Sequence, residues 1–157
     1  MKLVHIFSNA LRLPQKKARL YLNKTNLTET LLYLFSLVII MNLPGFAGFF
    51  LNGAGGSDDL FFLQYVILGP FFSAFTVLAG ISVASMLLLG LAGVMKRKLK
   101  YQYLWKMAAF SLPLPILSAY LADLIIGNDA LSFAVFLFIF FSIHFKMIRD
   151  FPKRKHN

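Results

Sequence analysis

A serine within Gly80-Ile81-Ser82-Val83 and a histidine on a separate apolar segment, His144, are residue types that a membrane-embedded hydrolase would use as nucleophile and base. Such a pair has to come within hydrogen-bonding reach. Ser82 precedes Lys96 by fourteen residues, roughly 20 Å along a helix. His144 precedes Lys146 by only two. The two therefore sit at different depths, and no catalytic residue is assigned. His5, His144 and His156 lack ligand spacing, cysteine is absent and no phosphate-binding loop occurs. Neither a metal nor a cofactor is expected.

Asp123 is the ionisable residue of most interest, because a carboxylate inside a membrane span is costly and commonly functional. It falls a few residues before Gly127, where a hydrated interfacial position accounts for it, and Tyr120 is placed one turn earlier as a donor. Asn42 and Gln64 are further polar residues at or near membrane depth. With Asp123 they would line the path of a small transporter or channel-like protein, the alternative to the reading developed below.

Apolar helices must hold all of these residues. The 157 residues are 59% hydrophobic, above the roughly 45–50% of soluble domains. The sixteen Lys and Arg fall in three groups, at 2–24, 96–106 and 146–155, separated by long apolar segments. Gaps without basic residues carry Asp58, Asp59 and Asp129 instead. Lys and Arg are retained on the cytoplasmic side of a bilayer, so the alternation predicts a multi-pass protein with both termini inside. Topology also accounts for the net charge of +10, which in a soluble protein would suggest nucleic acid. No nucleic-acid partner is expected; anionic lipid of the inner leaflet is. Residues 1–26 are too polar for a cleaved signal peptide.

The fold class that follows is all-α: four transmembrane helices in one membrane domain, 1–157, with residues 1–27 cytoplasmic or interfacial. Residues 3–13 carry apolar side chains at helical spacing. They form a short amphipathic helix, either lying in the interface or packed on the ends of the other helices. The spans fall at about 28–50, 70–95, 104–126 and 130–145. Asn26 and Glu29 fit a capping box. Pro44-Gly45 should kink or end the first span, and residues 52–59 should form an outer loop. A straight helix over 60–95 would reach about 54 Å, against a hydrocarbon core of about 30 Å. A break near Gly69-Pro70 is expected, leaving 60–68 near the outer surface. Pro113 and Pro115 should bend the third span, with their freed carbonyls facing protein. Gly127-Asn128-Asp129 makes a tight turn. The last span, at about 24 Å, is short enough for Lys146 to snorkel.

Two sets of residues suit binding. Thr76, Gly80 and Ala84 form a small-residue stripe that admits a neighbouring helix, and Pro113 and Pro115 shape another packing surface. Between the second and third spans, Lys96, Arg97, Lys98, Lys100 and Lys106 mix with Tyr101, Tyr103 and Trp105, a strip suited to lipid headgroups or a docking partner.

This connector also carries a resemblance. Residues 96–115, a basic loop followed by Leu104-Trp105-Lys106-Met107-Ala108-Ala109-Phe110 and a proline-bearing span, resemble small Gram-positive membrane proteins of unknown function. These are the bacterial Yip-like family, domain of unknown function 1189. Leu11-Arg12-Leu13-Pro14-Gln15-Lys16-Lys17-Ala18 and Leu31-Leu32-Tyr33-Leu34-Phe35 are similar to the opening of that group. The resemblance covers most of the chain and implies a polytopic, non-enzymatic fold with no catalytic residues to carry over. Other members can carry an additional span. The expectation is a bacterial plasma-membrane protein, an accessory or scaffold subunit. It would bind another membrane protein or itself, together with anionic lipid.

Overall fold

A bilayer offers the backbone no hydrogen-bonding partner, so a spanning segment has to satisfy its own amides and carbonyls. The computed structural model, which describes residues 2–51 and 59–152 and side chains outside 48–65, answers with helices throughout. Seven are described: α1 Lys2–Leu11, α2 Lys16–Asn23, α3 Leu27–Leu51, α4 Asp59–Val94, α5 Tyr101–Ser111, α6 Pro113–Ile126 and α7 Asp129–Arg149. Among the described residues four segments are long and apolar enough to cross a membrane: Leu27–Ala47, Val66–Val94, Tyr101–Ile126 and Asp129–Arg149. The chain is an all-α, multi-span membrane protein.

Local signals explain several boundaries. The Asn26 amide donates to Glu29 Oε2 at 3.2 Å, the backward half of the expected capping box. Gly127 closes α6 in the left-handed region, φ 63°, with its amide on the Asp123 carbonyl at 2.7 Å. Asn128 then starts α7 by accepting from the Ala130 and Leu131 amides. This is the tight turn the sequence called for.

Two prolines lie inside uninterrupted helices. α3 runs through Pro44 to Leu51, over the whole span expected at about 28–50, so Pro44 does not end it. α4 is one uninterrupted helix of 36 residues through Gly69-Pro70, where a break was expected. Each proline removes one donor, but the bonds on either side have no water to compete with them, so the helix persists. Only at Pro113 and Pro115 is the helix formally divided, and Leu112 keeps helical angles there, φ −54° and ψ −41°. The carbonyls these prolines free belong to Ala109 and Ser111, both 0% exposed, so the gap faces protein. The Ile116 amide resumes the ladder on the Leu112 carbonyl. α7 also extends beyond the expected end at 145, with Lys146 and Arg149 forming its last turn. Residues 52–58, expected as a loop, lie outside the described residues.

Packing is concentrated where the basic segments lie. Ile6, Ala10, Leu13, Ala18 and Leu22 of the N-terminal hairpin are buried, in one cluster with Tyr33, Leu88, Leu104, Phe110 and Met147. Of the two placements considered for the first helix, the packed one is realised: α1 lies against α3, α5 and α6. Lys2 pairs with Glu29, and the Phe7 ring meets Tyr33 at 4.6 Å. α6 and α7 form the most extensive helix pair, whereas α4 packs mainly on α3 and α5.

Candidate functional site

Lys100 has an extended backbone and leads into α5. Tyr101, Gln102, Trp105 and Lys106 then fall on one face of that helix, while Tyr103 and Met107 fall on the other. The basic-aromatic strip of 96–106 is thereby split into two environments.

On the first face, Trp105 Nε1 donates to Ser82 Oγ at 3.2 Å, and Tyr101 Oη donates to the Ser82 carbonyl at 3.4 Å. Both rings are thus held against α4. Together with Leu27 and Leu31 of α3, and with Gln102 and Lys106, they line an open groove of about 480 Å³. Lys106 Nζ donates to the carbonyls of Asn23 and Thr25, both at 3.0 Å. A cation at the end of α2 complements both the unpaired carbonyls and the helix dipole.

The second face builds a junction around Phe151. Its ring lies 5.0 Å from that of Tyr103, Arg19 Cζ lies 5.2 Å from its centroid, and its carbonyl accepts from Arg97 Nη1. Arg19 is buried; it donates to the Met147 carbonyl at 3.1 Å and pairs with Asp150 at 3.3 Å. Arg97 Nε and Tyr103 Oη are buried here with no hydrogen-bond partner among the described residues. Three basic segments distant in sequence therefore meet at one end of the bundle. Lys96 ends α4 at φ 52°, with Lys96 and Arg97 amides on the Gly93 and Ala92 carbonyls, a Schellman closure made without glycine. Lys98 and Lys100 are exposed.

The other candidates are dispersed. Thr76 and Gly80 face outward, and a side chain added at Gly80 would meet nothing within 4 Å. Ala84 is half-buried against the core, while the buried stripe of α4 is Ala74, Ile81, Ser85, Leu88 and Ala92. Pro113 and Pro115 are buried within the chain. Asn42 donates to the Val38 carbonyl at 2.8 Å and accepts from Ser73 at 3.4 Å. Asp123 is exposed on α6, and Gln64 lies outside the described side chains. Neither Asn42 nor Asp123 lines the groove.

Ser82 and His144 are not brought together. His144 instead approaches Ser111, Nε2 to Oγ at 3.4 Å, while its Nδ1 lies 2.7 Å from the Phe140 carbonyl. Both residues are 0% exposed, so the pair is enclosed by protein and serves as a tie between α5 and α7. Helical spacing places Ser111 in register with the buried Leu104 and Met107, but nothing local in the sequence pairs it with His144. Among the described residues no group of three or more His, Asp or Glu could hold a metal.

No curated protein and no solved structure matches the chain. A family model described as "Protein of unknown function (DUF1189)" matches residues 49–148. That stretch takes in α4, α5, α6 and nearly all of α7, with the groove's aromatic wall, and leaves α1, α2 and most of α3 outside. With well over half its length so matched, the chain belongs to the DUF1189 family.

Proposed function

We propose that this chain is a non-enzymatic accessory or scaffold protein of a bacterial plasma membrane. It acts by binding a membrane partner and anionic lipid, with both termini and the basic end in the cytoplasm. The observation that carries this reading is the meeting of the three basic segments, tied by Arg19 to Asp150, Arg97 to Phe151 and Lys106 to Thr25. Folding gathers cations from residues more than a hundred positions apart into one surface, where each Lys or Arg attracts anionic headgroups by about 1 kcal/mol. Partner docking draws support from α4, whose outward face carries Gly69, Thr76, Gly80 and Gly90 along a helix packed mainly on two neighbours.

The test is the lipid retained by the full-length protein after extraction in a mild detergent, quantified by mass spectrometry. Enrichment of phosphatidylglycerol over the bulk membrane is expected. It should fall when Lys96 and Lys98 are both replaced by Gln. A retained pool identical in composition to the bulk membrane removes the lipid half of the reading.

A further inference from the structure

Resting on that reading, we infer that the groove between the first turns of α3 and α5 is a discrete site for one anionic phospholipid. The acyl chain would lie on Leu27, Leu31 and Trp105, with the phosphate at Lys106.

Four features of the groove argue for this occupant. α3 and α5 both begin here, so the groove stands where spans emerge at the basic end, the level of headgroups. Its walls are apolar side chains and aromatic faces, while its polar members, Gln102 and Lys106, come from one edge of α5. The aromatic wall is preset: Tyr101 and Trp105, which line the groove, are each held by a hydrogen bond to Ser82, so little side-chain order is lost on binding. The charge is available as well. Lys106 bonds two neutral carbonyls, which orient its ammonium without neutralising it, and one of its three donors is left over.

The surroundings agree in sign. Lys24 lies between the two residues whose carbonyls hold Lys106, and Lys100 immediately precedes Tyr101; both are exposed. The carboxylates at this end have partners: Glu29 is paired with Lys2 and Asp150 with Arg19. An incoming phosphate therefore meets several lysines and no free acid among the described residues. The open groove of about 480 Å³ is within the usual range of roughly 300–1,000 Å³ for small-molecule sites.

The chain supplies its own reporter, since Trp105 is its only tryptophan. The experiment places the full-length protein in phosphatidylcholine vesicles containing a fixed fraction of dibrominated lipid, either phosphatidylglycerol or phosphatidylcholine. Trp105 quenching is then read. Brominated phosphatidylglycerol should associate about fivefold more strongly than its neutral counterpart, the value of one close Lys–phosphate contact. Lys106→Gln should bring that ratio to about one. Because Lys106 also closes α2, Leu31→Phe asks the same question through shape: it fills the groove, leaves every charge in place and should lower the ratio likewise.

A wild-type ratio near one overturns the site. If the protein still retains phosphatidylglycerol in the extraction assay, the general lipid reading survives that result. If it does not, both are lost. The site is equally overturned if Leu31→Phe folds, by its helical circular dichroism, and keeps the wild-type ratio.

Discussion

Among the described side chains, buried ones come from all seven helices towards the basic end of the bundle and are few towards the opposite end. Beyond Val38 on α3 no side chain described on that helix is buried, and the same holds on α6 beyond Pro115. Between Val66 and Ser73 α4 has none, and on the first half of α7 only Ser132 is buried. Composition does not explain this, because both ends are rich in Leu, Ile and Phe. The difference lies in the polar ties. At the basic end Arg19, Arg97 and Lys106 bond carbonyls on other elements, and Ser111 meets His144. Towards the far end, Ser73 meets Asn42 at 3.4 Å. Lipid tails are as apolar as leucine, so apolar surface alone does not drive helices together in a bilayer. Specific bonds and close packing have to do so, and among the described residues the charged ones lie towards the basic end.

The largest test of this contrast replaces the same residue type at both ends. Phe110→Ala removes a fully buried ring in contact with Tyr33 and should cost about 3 kcal/mol. Phe72→Ala, at a position 63% exposed, should stay within about 0.5 kcal/mol. Reversible unfolding in mixed micelles titrated with dodecyl sulfate measures both. Equal losses would break the comparison.

Next in size, Arg19→Gln should cost about 2 kcal/mol, because it removes charge-assisted bonds made by a buried side chain. Asp150→Asn should cost about 0.5 kcal/mol in the same assay, since its side chain is 44% exposed and water screens the pair. A reversed order would mean that the ion pair, rather than the Met147 carbonyl, governs the junction. Ser111→Ala should cost about 0.6 kcal/mol, the usual size of a hydrogen bond between helices in a membrane.

The smallest expected effects sharpen the contrast from the other side. Gly80→Leu meets open space and should leave the isolated protein within about 0.5 kcal/mol of wild type. In native membranes it should reduce crosslinking from a photoreactive group at Thr76 to a second protein. If only lipid adducts form at Thr76 in the wild type, α4 loses its docking role. Asp123→Asn should alter neither stability nor retained lipid. Abolition of a solute flux in proteoliposomes by that change would favour the transport alternative instead.

Much of the fold was legible because hydropathy, the cap at Asn26 and the turn at Gly127-Asn128-Asp129 are local. The break expected at Pro70 is absent for a physical reason: rules drawn from aqueous helices assume that water competes for a weakened turn. α7 runs on past the span end expected at about 145, which is compatible with the snorkelling expected of Lys146. A long basic side chain can remain helical while its charge reaches outward. At the site, the residue types of 96–106 were visible, but their division was not. Helical phase separates Trp105 from Tyr103, whereas only the tertiary arrangement brings Phe151 to one side and Leu31 to the other. Ser111 with His144 and Arg19 with Asp150 are long-range pairs that no local period encodes.

The contact from Arg19 to Met147 spans 128 residues and bears on the order of assembly. A ribosome delivers α2 well before the carbonyl that receives its arginine. The hairpin of α1 and α2 therefore cannot reach its final bonding until α7 has been synthesised and inserted. Until then a guanidinium destined for burial must stay hydrated. Synthesis halted before Met147 would leave Arg19 translated without the carbonyl that receives it.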